Sequence, residues 1–270
     1  MPELPEVETI KKQLMPLVVG HRILSIEFLW PKTLLSPSVT EFNQLVEGHV
    51  IKELDRRGKY LILHLDNGDA ILVHLRMTGS FLVCEDNTLS SKHTRAVVHL
   101  DGGLKMFFID PRKFGKFQLV SEESSPLLKL GPEPMSDIFT AQRLSAVIEG
   151  RKIPVKALLV DQTVVAGIGN MYADEALYES GIHPLRTADS LSVQEIERLH
   201  GAIRQVLKKA IESGGASVSN YFHPDGAKGN AQEDFQVAHR RGENCLTCGE
   251  PIERIVVRQR GTYFCPKCQQ

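Results

Sequence analysis

Four cysteines near the end of the chain have the spacing that points most clearly to chemistry. Cys245 and Cys248 form one C-x2-C pair, and Cys265 and Cys268 form a second pair after sixteen intervening residues. Zn²⁺ prefers four thiolates in a tetrahedral arrangement, and two such pairs supply them with no coordination position left open. The spacing therefore predicts one structural Zn²⁺ ion, in preference to unrelated thiols or a redox pair.

Three arginines, Arg254, Arg258 and Arg260, lie between the two cysteine pairs. Guanidinium groups bind phosphate through paired hydrogen bonds, and a hairpin too small for its own core usually presents a surface. The arginines therefore indicate phosphate contact, although a solvated charged face is almost as common.

The residues after Met1 offer a different chemistry. Removal of Met1 would leave Pro2 with a free secondary amine, and an α-amine has a pKa of about 7.7–8.0, far below that of lysine. Such an amine can attack an aldehyde-level carbon to form an iminium, while Glu3 beside it can give or take a proton. The alternative is an acidic first helix that starts at Pro5, with Glu6 complementing its positive end.

Strands are predicted for the first part of the chain, which must position the N-terminal groups. Residues 22–121 show alternating or β-branched apolar patterns, and Asn67-Gly68 predicts a hairpin turn between two of the strands. The pattern is typical of a β-sandwich or a flattened barrel.

Helices are predicted for the second part. After the prolines of 131–134, apolar residues recur at three-to-four spacing, which predicts helices over 141–149, 155–161, 171–180 and 193–212. Residues 216–237 are polar and predict a mobile loop, and the cysteine segment follows it. We therefore expect an α+β chain with segments 1–130, 131–237 and 238–270.

The composition excludes several classes of protein. The 270 residues are 42% hydrophobic and 24% charged, which is typical of a globular chain rather than a disordered one. No apolar run approaches the length of a membrane span, and the start lacks a secretion signal, so a cytoplasmic location is expected. The net charge of −1 means that a nucleic-acid-binding surface requires local segregation of charge.

Seven motifs together resemble the bacterial formamidopyrimidine-DNA glycosylase family. They occur in order across nearly the whole chain: PELPEVET at 2–9, RGKY at 57–60, HLRMTGS at 74–80, DPRKFG at 110–115, GPEP at 131–134, GIGNMYADE at 167–175 and the terminal RGTYFCPKCQ. The resemblance implies an N-terminal β-sandwich with a leading helix, a helical part with a helix–two-turn–helix element and a lesion loop, and a C-terminal zinc-ribbon hairpin. It also implies a DNA-repair enzyme that excises oxidised purines, 8-oxoguanine and formamidopyrimidines, and then cuts the backbone by β,δ-elimination.

The resemblance also implies catalytic roles. Pro2 would attack C1′ of the damaged nucleoside to give a Schiff base, and Glu3 would act as acid and base. Lys59 corresponds to the lysine of the β-elimination step. Arg260 corresponds to a phosphate contact that is also assigned as proton donor in δ-elimination, although a guanidinium is a poor acid.

Further positions correspond to DNA contacts of the family. Met77, Arg112 and Phe114 would fill the gap left by an everted nucleotide, because flipping removes stacking that apolar side chains and a guanidinium can replace. The remaining expected contacts are His74, His93, Arg151, Lys156 and Asn170. The chain departs from the family at Thr94-Arg95, where His-Asp-His is usual around this position and Arg95 is expected to contact the DNA backbone. It also departs at Ala238-His239, where Tyr-Gly is usual.

The expected partner is double-stranded DNA with oxidised bases or abasic sites, bound by a monomer with no membrane association. Association with the bacterial nucleoid follows from DNA binding, and the structural Zn²⁺ is the sole expected cofactor. Two alternatives stay open: an endonuclease VIII-type glycosylase for oxidised pyrimidines, and a non-catalytic binder of damaged DNA.

Overall fold

Residues 1–121, 125–216 and 229–270 are described by the structure, which is a computed structural model. Contacts divide the chain into two units, Met1–Leu128 with Gly214–Asn230, and Lys129–Ser213 with Ala231–Gln270. The division into segments 1–130, 131–237 and 238–270 that the sequence predicts stays a prediction. Within the described ranges, no helix is long and apolar enough to cross a membrane.

The first unit contains two four-stranded antiparallel sheets. In chain order its elements are α1 (Leu4–Val18), β1 (Ile23–Glu27), α2 (Val39–Val46), β2 (Ile51–Arg57), β3 (Tyr60–Leu65), β4 (Ala70–His74), β5 (Ser80–Glu85), β6 (Thr94–Leu100), β7 (Leu104–Ile109) and β8 (Lys116–Val120). The strand orders are β1-β6-β7-β5 and β2-β3-β4-β8. The predicted strands and the leading helix are therefore confirmed.

One apolar cluster joins α1, α2 and both sheets. Phe108 is fully buried, and its ring centroid lies 5.3 Å from that of Phe81 and 5.0 Å from that of Phe117. The predicted turn at Asn67-Gly68 joins β3 to β4, with Gly68 at a φ of 93°. Because the Leu65 N–H still donates to the Asp69 carbonyl at 2.9 Å, the loop has three residues rather than two.

The second unit contains four helices and a two-stranded hairpin. They are α3 (Ala141–Ile148), α4 (Val155–Leu159), α5 (Asn170–Ser180), α6 (Val193–Glu212), β9 (Glu253–Val257) and β10 (Arg260–Phe264). The four predicted helices are present, with ends that differ by at most two residues. Of the loop predicted over 216–237, residues 217–228 lie outside the described residues, and Ala231–Asp234 form a short 3-10 helix.

Candidate active site and DNA-binding residues

The N-terminus of α1 is fixed by a carboxylate four positions beyond Pro2. Pro2 and Glu3 are both buried. Glu6 is 1% exposed, and its Oε2 accepts a hydrogen bond from the Glu3 N–H at 2.7 Å. Because this bond closes a capping box, the backbone next to Pro2 has one defined path.

Glu6 also holds a second segment of the first unit. Its Oε1 accepts from the Ala216 N–H at 2.8 Å, and Gly215 lies so close that an added Cβ would be 3.1 Å from Glu6 atoms. The sequence predicts for Glu6 only a favourable interaction with the positive end of the first helix. The Glu3-x-x-Glu6 spacing was the signal for the capping box, whereas nothing in the sequence pointed to Ala216.

Lys59 lies in the turn that precedes β3, and His74 ends the neighbouring strand β4. Lys59 is 7% exposed in the two-residue turn between β2 and β3, where Arg57 pairs with Tyr60. Tyr60 in turn pairs with His74 on β4, and their rings meet edge to face at 4.8 Å. Lys59 is near enough to His74 for its positive charge to lower the pKa of the imidazole.

His74 is a neutral hydrogen-bond donor. Its Nδ1 accepts from the Arg76 N–H at 3.0 Å, which assigns the ring proton to Nε2. Burial, reinforced by the cations of Arg76 and Lys59, lowers the pKa of His74 to about 3. Its Nε2–H can therefore donate to a phosphate oxygen at neutral pH without carrying charge.

The predicted gap-filling side chains protrude from two loops of the first unit. Met77 follows β4 and is 39% exposed, and Phe114 precedes β8 and is 47% exposed. The Arg112 guanidinium carbon lies 5.0 Å from the centre of the Phe114 ring. Exposed apolar side chains of this size next to a guanidinium suit insertion into a base stack.

Asp110 joins these two loops and was missed by sequence reasoning. Its carboxylate is fully buried and accepts hydrogen bonds from the Thr78 hydroxyl, the Arg112 N–H at 3.2 Å and the Gly115 N–H at 2.7 Å. An added Cβ at Gly115 would lie 2.3 Å from the Phe108 ring, so the approach requires glycine. The Asp-Pro pair followed by glycine was the available signal for such a turn.

His93 is partly buried at the start of β6, and its carbonyl accepts from the Asp110 N–H at 2.9 Å. Arg95, two residues later, is only 8% exposed and donates from Nε to the Asp110 carbonyl at 2.8 Å. The Arg95 guanidinium is turned into the protein, and its expected contact with the DNA backbone stays a prediction.

In the second unit, Lys156 is buried rather than presented at the surface. It is 1% exposed and forms an ion pair with Asp174, and its Nζ also donates to the Asn170 carbonyl at 2.7 Å. The other Asp174 oxygen accepts from the Tyr263 N–H at 3.2 Å. Lys156 was expected to contact DNA, but the structure places its ammonium against the first turn of α5.

The turn before α5 presents Asn170 and is ordered by a side chain that sequence reasoning missed. Gln162 Oε1 accepts from the Gly167 N–H at 2.9 Å, and Gln162 Nε2 donates to the Ile168 carbonyl at 2.7 Å. Asn170 Nδ2 donates to the Gly261 carbonyl of β10 at 2.8 Å, which ties this turn to the hairpin. Arg151, another expected contact, is exposed after α3.

The four cysteines form the predicted metal site. Their sulfur atoms all lie within 4.8 Å of one another, with Cys245 to Cys268 at 3.9 Å and Cys248 to Cys265 at 3.5 Å. A tetrahedral Zn²⁺ with bonds of about 2.3 Å needs sulfur separations of about 3.8 Å. The donor set fits one structural Zn²⁺ ion.

The hairpin that follows the first cysteine pair presents Arg260 beside a tight turn. Val257 pairs with Arg260, so Arg258 and Gln259 alone form the turn, with φ values of 44° and 64°. Such a turn normally selects asparagine and glycine. Arg260 is exposed on β10 immediately after it, where it can reach a phosphate.

Three family models cover most of the chain. They are described as the formamidopyrimidine-DNA glycosylase N-terminal domain over residues 1–117, the formamidopyrimidine-DNA glycosylase H2TH domain over 130–221, and a zinc finger found in FPG and IleRS over 242–270. This chain belongs to the formamidopyrimidine-DNA glycosylase family.

Curated relatives that match the whole of this chain carry the same description. The formamidopyrimidine-DNA glycosylase of Symbiobacterium thermophilum is 47% identical, with 100% of this chain and 89% of that protein covered. The enzyme of Chloroflexus aurantiacus is 45% identical over 100% of this chain and 98% of that protein.

Solved structures of the family superpose closely. The MutM (Fpg) protein of Thermus thermophilus gives a TM-score of 0.90 at 42% identity, covering 99% of this chain and 98% of that one. A mutant of Lactococcus lactis FPG in complex with a Fapy-dG containing DNA gives 0.94 at 35% identity, with 100% of both chains covered.

One departure from the family pattern is compensated in this structure. His239, where the family usually has glycine, keeps a φ of 66°, and its ring lies 5.5 Å from that of Tyr263. The imidazole thus supplies an aromatic contact to the hairpin where Ala238 lacks one. Glu175 orders the same segment by accepting the N–H groups of residues 236–238 at 2.8–2.9 Å.

Proposed function

We propose that this protein excises 8-oxoguanine and formamidopyrimidines from duplex DNA and then cleaves the resulting abasic site as a lyase. The observation that carries the proposal is the buried Pro2-Glu3 terminus, held by Glu6, in a member of this family. A structure of MutM in complex with carbocyclic 8-oxo-G containing DNA, 36% identical at a TM-score of 0.93 over 100% of both chains, supports the same substrate class. We place its action in the cytoplasm, at the nucleoid.

Base excision begins at Pro2 once Met1 has been removed. The proline nitrogen forms a bond to C1′ while the bond from C1′ to the base breaks, and the departing base takes up a proton. Opening of the sugar ring then leaves a cationic iminium between Pro2 and the former C1′. Glu3 is the acid and base for these proton transfers, and the Glu6 hydrogen bond to its N–H orients it.

The lyase steps follow from the iminium. Its positive charge acidifies C2′, so loss of a C2′ proton expels the 3′ phosphate, and a second elimination expels the 5′ phosphate. Lys59 serves the first elimination, and its position in the turn before β3 presents its amine next to His74. Arg260 binds phosphate as a cation, because a guanidinium does not release a proton readily.

DNA is held by contacts that carry little sequence information. Asn170 and the exposed Arg151 contact phosphates, and His74 donates a neutral hydrogen bond to another. Met77, Arg112 and Phe114 occupy the space left by the everted nucleotide. Lys156 acts by positioning Asn170, consistent with its hydrogen bond to the Asn170 carbonyl.

A lesion panel tests the proposal. Otherwise identical duplexes carry 8-oxoguanine, a formamidopyrimidine, an oxidised pyrimidine or an abasic site, and release of base and strand cleavage are measured. We expect excision of both oxidised purines at least about tenfold faster than of the pyrimidine. Preferred excision of the pyrimidine would indicate an endonuclease VIII-type enzyme, and binding without any excision would indicate a damaged-DNA binder.

Glu3→Gln separates the two activities in the same panel. The variant keeps the amine and the side-chain volume but lacks the carboxylate, so excision of an intact damaged base should nearly stop. On a preformed abasic site the sugar is already an aldehyde, and strand cleavage should persist. Equal loss of both activities would contradict the role of Glu3 in base departure.

A further inference from the structure

We propose that Arg95 is a positioning residue that fixes the loop carrying Arg112 and Phe114 before DNA binds. The inference rests on the proposed function, from which it takes the gap-filling role of those two side chains. Arg95 stands where the chain departs from the family pattern, so the inference concerns a feature of this chain.

A β-bulge directs the Arg95 side chain. In the ladder between β6 and β7, Thr94 pairs with Ile109 and Ala96 pairs with Phe108, so Arg95 is the extra residue between two successive pairs. A bulge changes the direction of a side chain relative to regular alternation, and bulges are frequent next to functional sites. Arg95 is 8% exposed, so its guanidinium lies inside the protein rather than in solvent.

The Arg95 guanidinium joins main-chain groups at adjacent ends of two neighbouring strands, the start of β6 and the residue after β7. Its Nε donates to the Asp110 carbonyl at 2.8 Å, and Nη1 donates to the carbonyls of Lys92 at 3.1 Å and Thr94 at 3.3 Å. The Asp110 carbonyl also accepts from the Lys113 N–H at 3.2 Å. Arg95 therefore holds the first carbonyl of the turn from which Arg112 projects.

Trp30 provides a second attachment for the same loop. The backbone N–H of Trp30 donates to the Arg95 carbonyl at 3.1 Å, and the Lys113 ammonium lies 4.1 Å from the centre of the Trp30 ring. Lys113 has a φ of 62°, which reverses the chain direction at this point. The Lys113 ammonium thereby contacts Trp30, and Lys113 is exposed together with its neighbours Arg112 and Phe114.

A loop held in this way is already ordered when DNA arrives. Ordering a free loop at the moment of binding costs conformational entropy, and misplacement of the inserted side chains slows the steps that need them. Removal of the guanidinium also leaves buried carbonyls without a charged donor. The consequence should be confined to steps in which a gap in duplex DNA must be filled.

Arg95→Met removes the donors and keeps a long apolar stem. Three rates are measured: eversion by the fluorescence of a 2-aminopurine next to 8-oxoguanine, single-turnover excision in duplex DNA, and borohydride trapping on a single-stranded abasic oligonucleotide. We expect eversion and duplex excision to slow by about tenfold, the factor expected from loss of a charge-assisted hydrogen bond. The rate of trapping on the single strand should stay within about twofold of wild type, because a single strand has no duplex gap that must be filled.

Arg204→Met is the matched control. Arg204 lies on α6 in the second unit, and its Nη1 likewise donates to two main-chain carbonyls, of Pro134 at 3.0 Å and Ser136 at 3.1 Å. Arg204→Met should lower the melting temperature about as much as Arg95→Met does. Because Arg204 is remote from the site, all three rates should stay within about twofold of wild type. Arg95→Lys, which keeps one charged donor, should recover part of the lost eversion rate.

The outcomes separate this inference from the proposed function. Wild-type protein that excises no 8-oxoguanine contradicts the function. Normal wild-type excision, with Arg95→Met unchanged on duplex DNA or equally slow on the single strand, overturns only the role of Arg95. Should Arg95→Met fail to fold, Arg95→Lys decides by the same criterion, with slower eversion supporting the inference and a wild-type rate overturning it.

Discussion

The β-sandwich of the first unit and the cysteine hairpin of the second are ordered by different forces. The sandwich buries one continuous apolar cluster that includes Phe81, Phe108 and Phe117. The hairpin buries only a small cluster: Val237, Cys245, Ile252 and Cys265. A cluster of that size cannot offset the conformational entropy of the segment, so the hairpin depends on metal ligation and on hydrogen bonds to α5.

The two regions suit different functional groups. The proposed nucleophile and the gap-filling loops need fixed positions, and buried hydrogen bonds attach them to a scaffold that is stabilised by apolar burial. Arg260 needs only to be held near a phosphate, and a metal-tied hairpin suffices for that.

Removal of the metal should give the largest difference between the two regions. Cys248→Ser should lose Zn²⁺ and unfold the hairpin, because structural zinc binding contributes about 10–16 kcal/mol in zinc-finger peptides. DNA affinity should fall by more than about 100-fold, while the sandwich keeps its strand signal in circular dichroism. Metal analysis, binding titration and circular dichroism measure the three effects.

Cys84→Ser is the control for this change. Cys84 is a half-buried thiol on β5 in the first unit, outside the cysteine cluster. Its loss should leave zinc content and DNA affinity unchanged. A wild-type protein without Zn²⁺, or a Cys248→Ser variant that binds DNA normally, would contradict the contrast.

The converse change removes packing from the sandwich. Phe108→Ala deletes a fully buried ring between Phe81 and Phe117 and should lower the free energy of unfolding by about 3–5 kcal/mol. Zn²⁺ content should remain one per chain wherever the variant stays folded. Denaturant unfolding with parallel metal analysis checks both, and loss of zinc at low denaturant would show that the regions are not independent.

The two regions should also respond differently to salt. Arg260→Gln removes a cation, so the slope of log affinity against log salt should become shallower by about 0.9. His74→Gln removes a neutral donor, so affinity should weaken with no change of slope. Titrations at several salt concentrations measure both slopes, and a shallower slope for His74→Gln would mean that the imidazole binds phosphate as a cation.

The smallest expected effect is the response of the sandwich to acid. The pKa of His74 is about 3 in the folded protein and about 6.5 unfolded, so below pH 6.5 the unfolded chain takes up a proton that the folded chain does not. The free energy of unfolding should therefore fall by at most about 2 kcal/mol from pH 6.5 to pH 5 through this group. His74→Gln should remove that part of the decline, and an unchanged pH profile would refute the low pKa.

Sequence patterns predicted features that depend on spacing along the chain. The paired cysteines, the alternating strands and the three-to-four spacing of α6 each follow from local periodicity, and the structure has them. Family motifs added roles for Pro2 and Lys59 that no periodicity carries. These features and roles can be predicted without knowledge of the folded chain.

What the sequence did not reveal are side chains that accept hydrogen bonds from main-chain N–H groups and so order loops and turns. Glu6, Asp110 and Gln162 all act in this way, and a donor such as the Ala216 N–H, which is 210 residues from Glu6, has no side-chain signature. Nor did the sequence reveal that Lys156 and Arg95 are buried against carbonyl oxygens, and the DNA contacts expected of both stay predictions. Burial of a cation depends on tertiary contacts, which a single sequence does not display.

Borohydride trapping identifies the nucleophile. The protein is incubated with 8-oxoguanine duplex and borohydride, which reduces the iminium to a stable amine, and the cross-linked peptide is sequenced by mass spectrometry. Lys59, in the same unit, supplies the alternative amine, so Lys59→Met is trapped in parallel. We expect an adduct on the peptide that begins at Pro2, in both proteins. An adduct on Lys59, or full activity of protein that retains Met1, would contradict it.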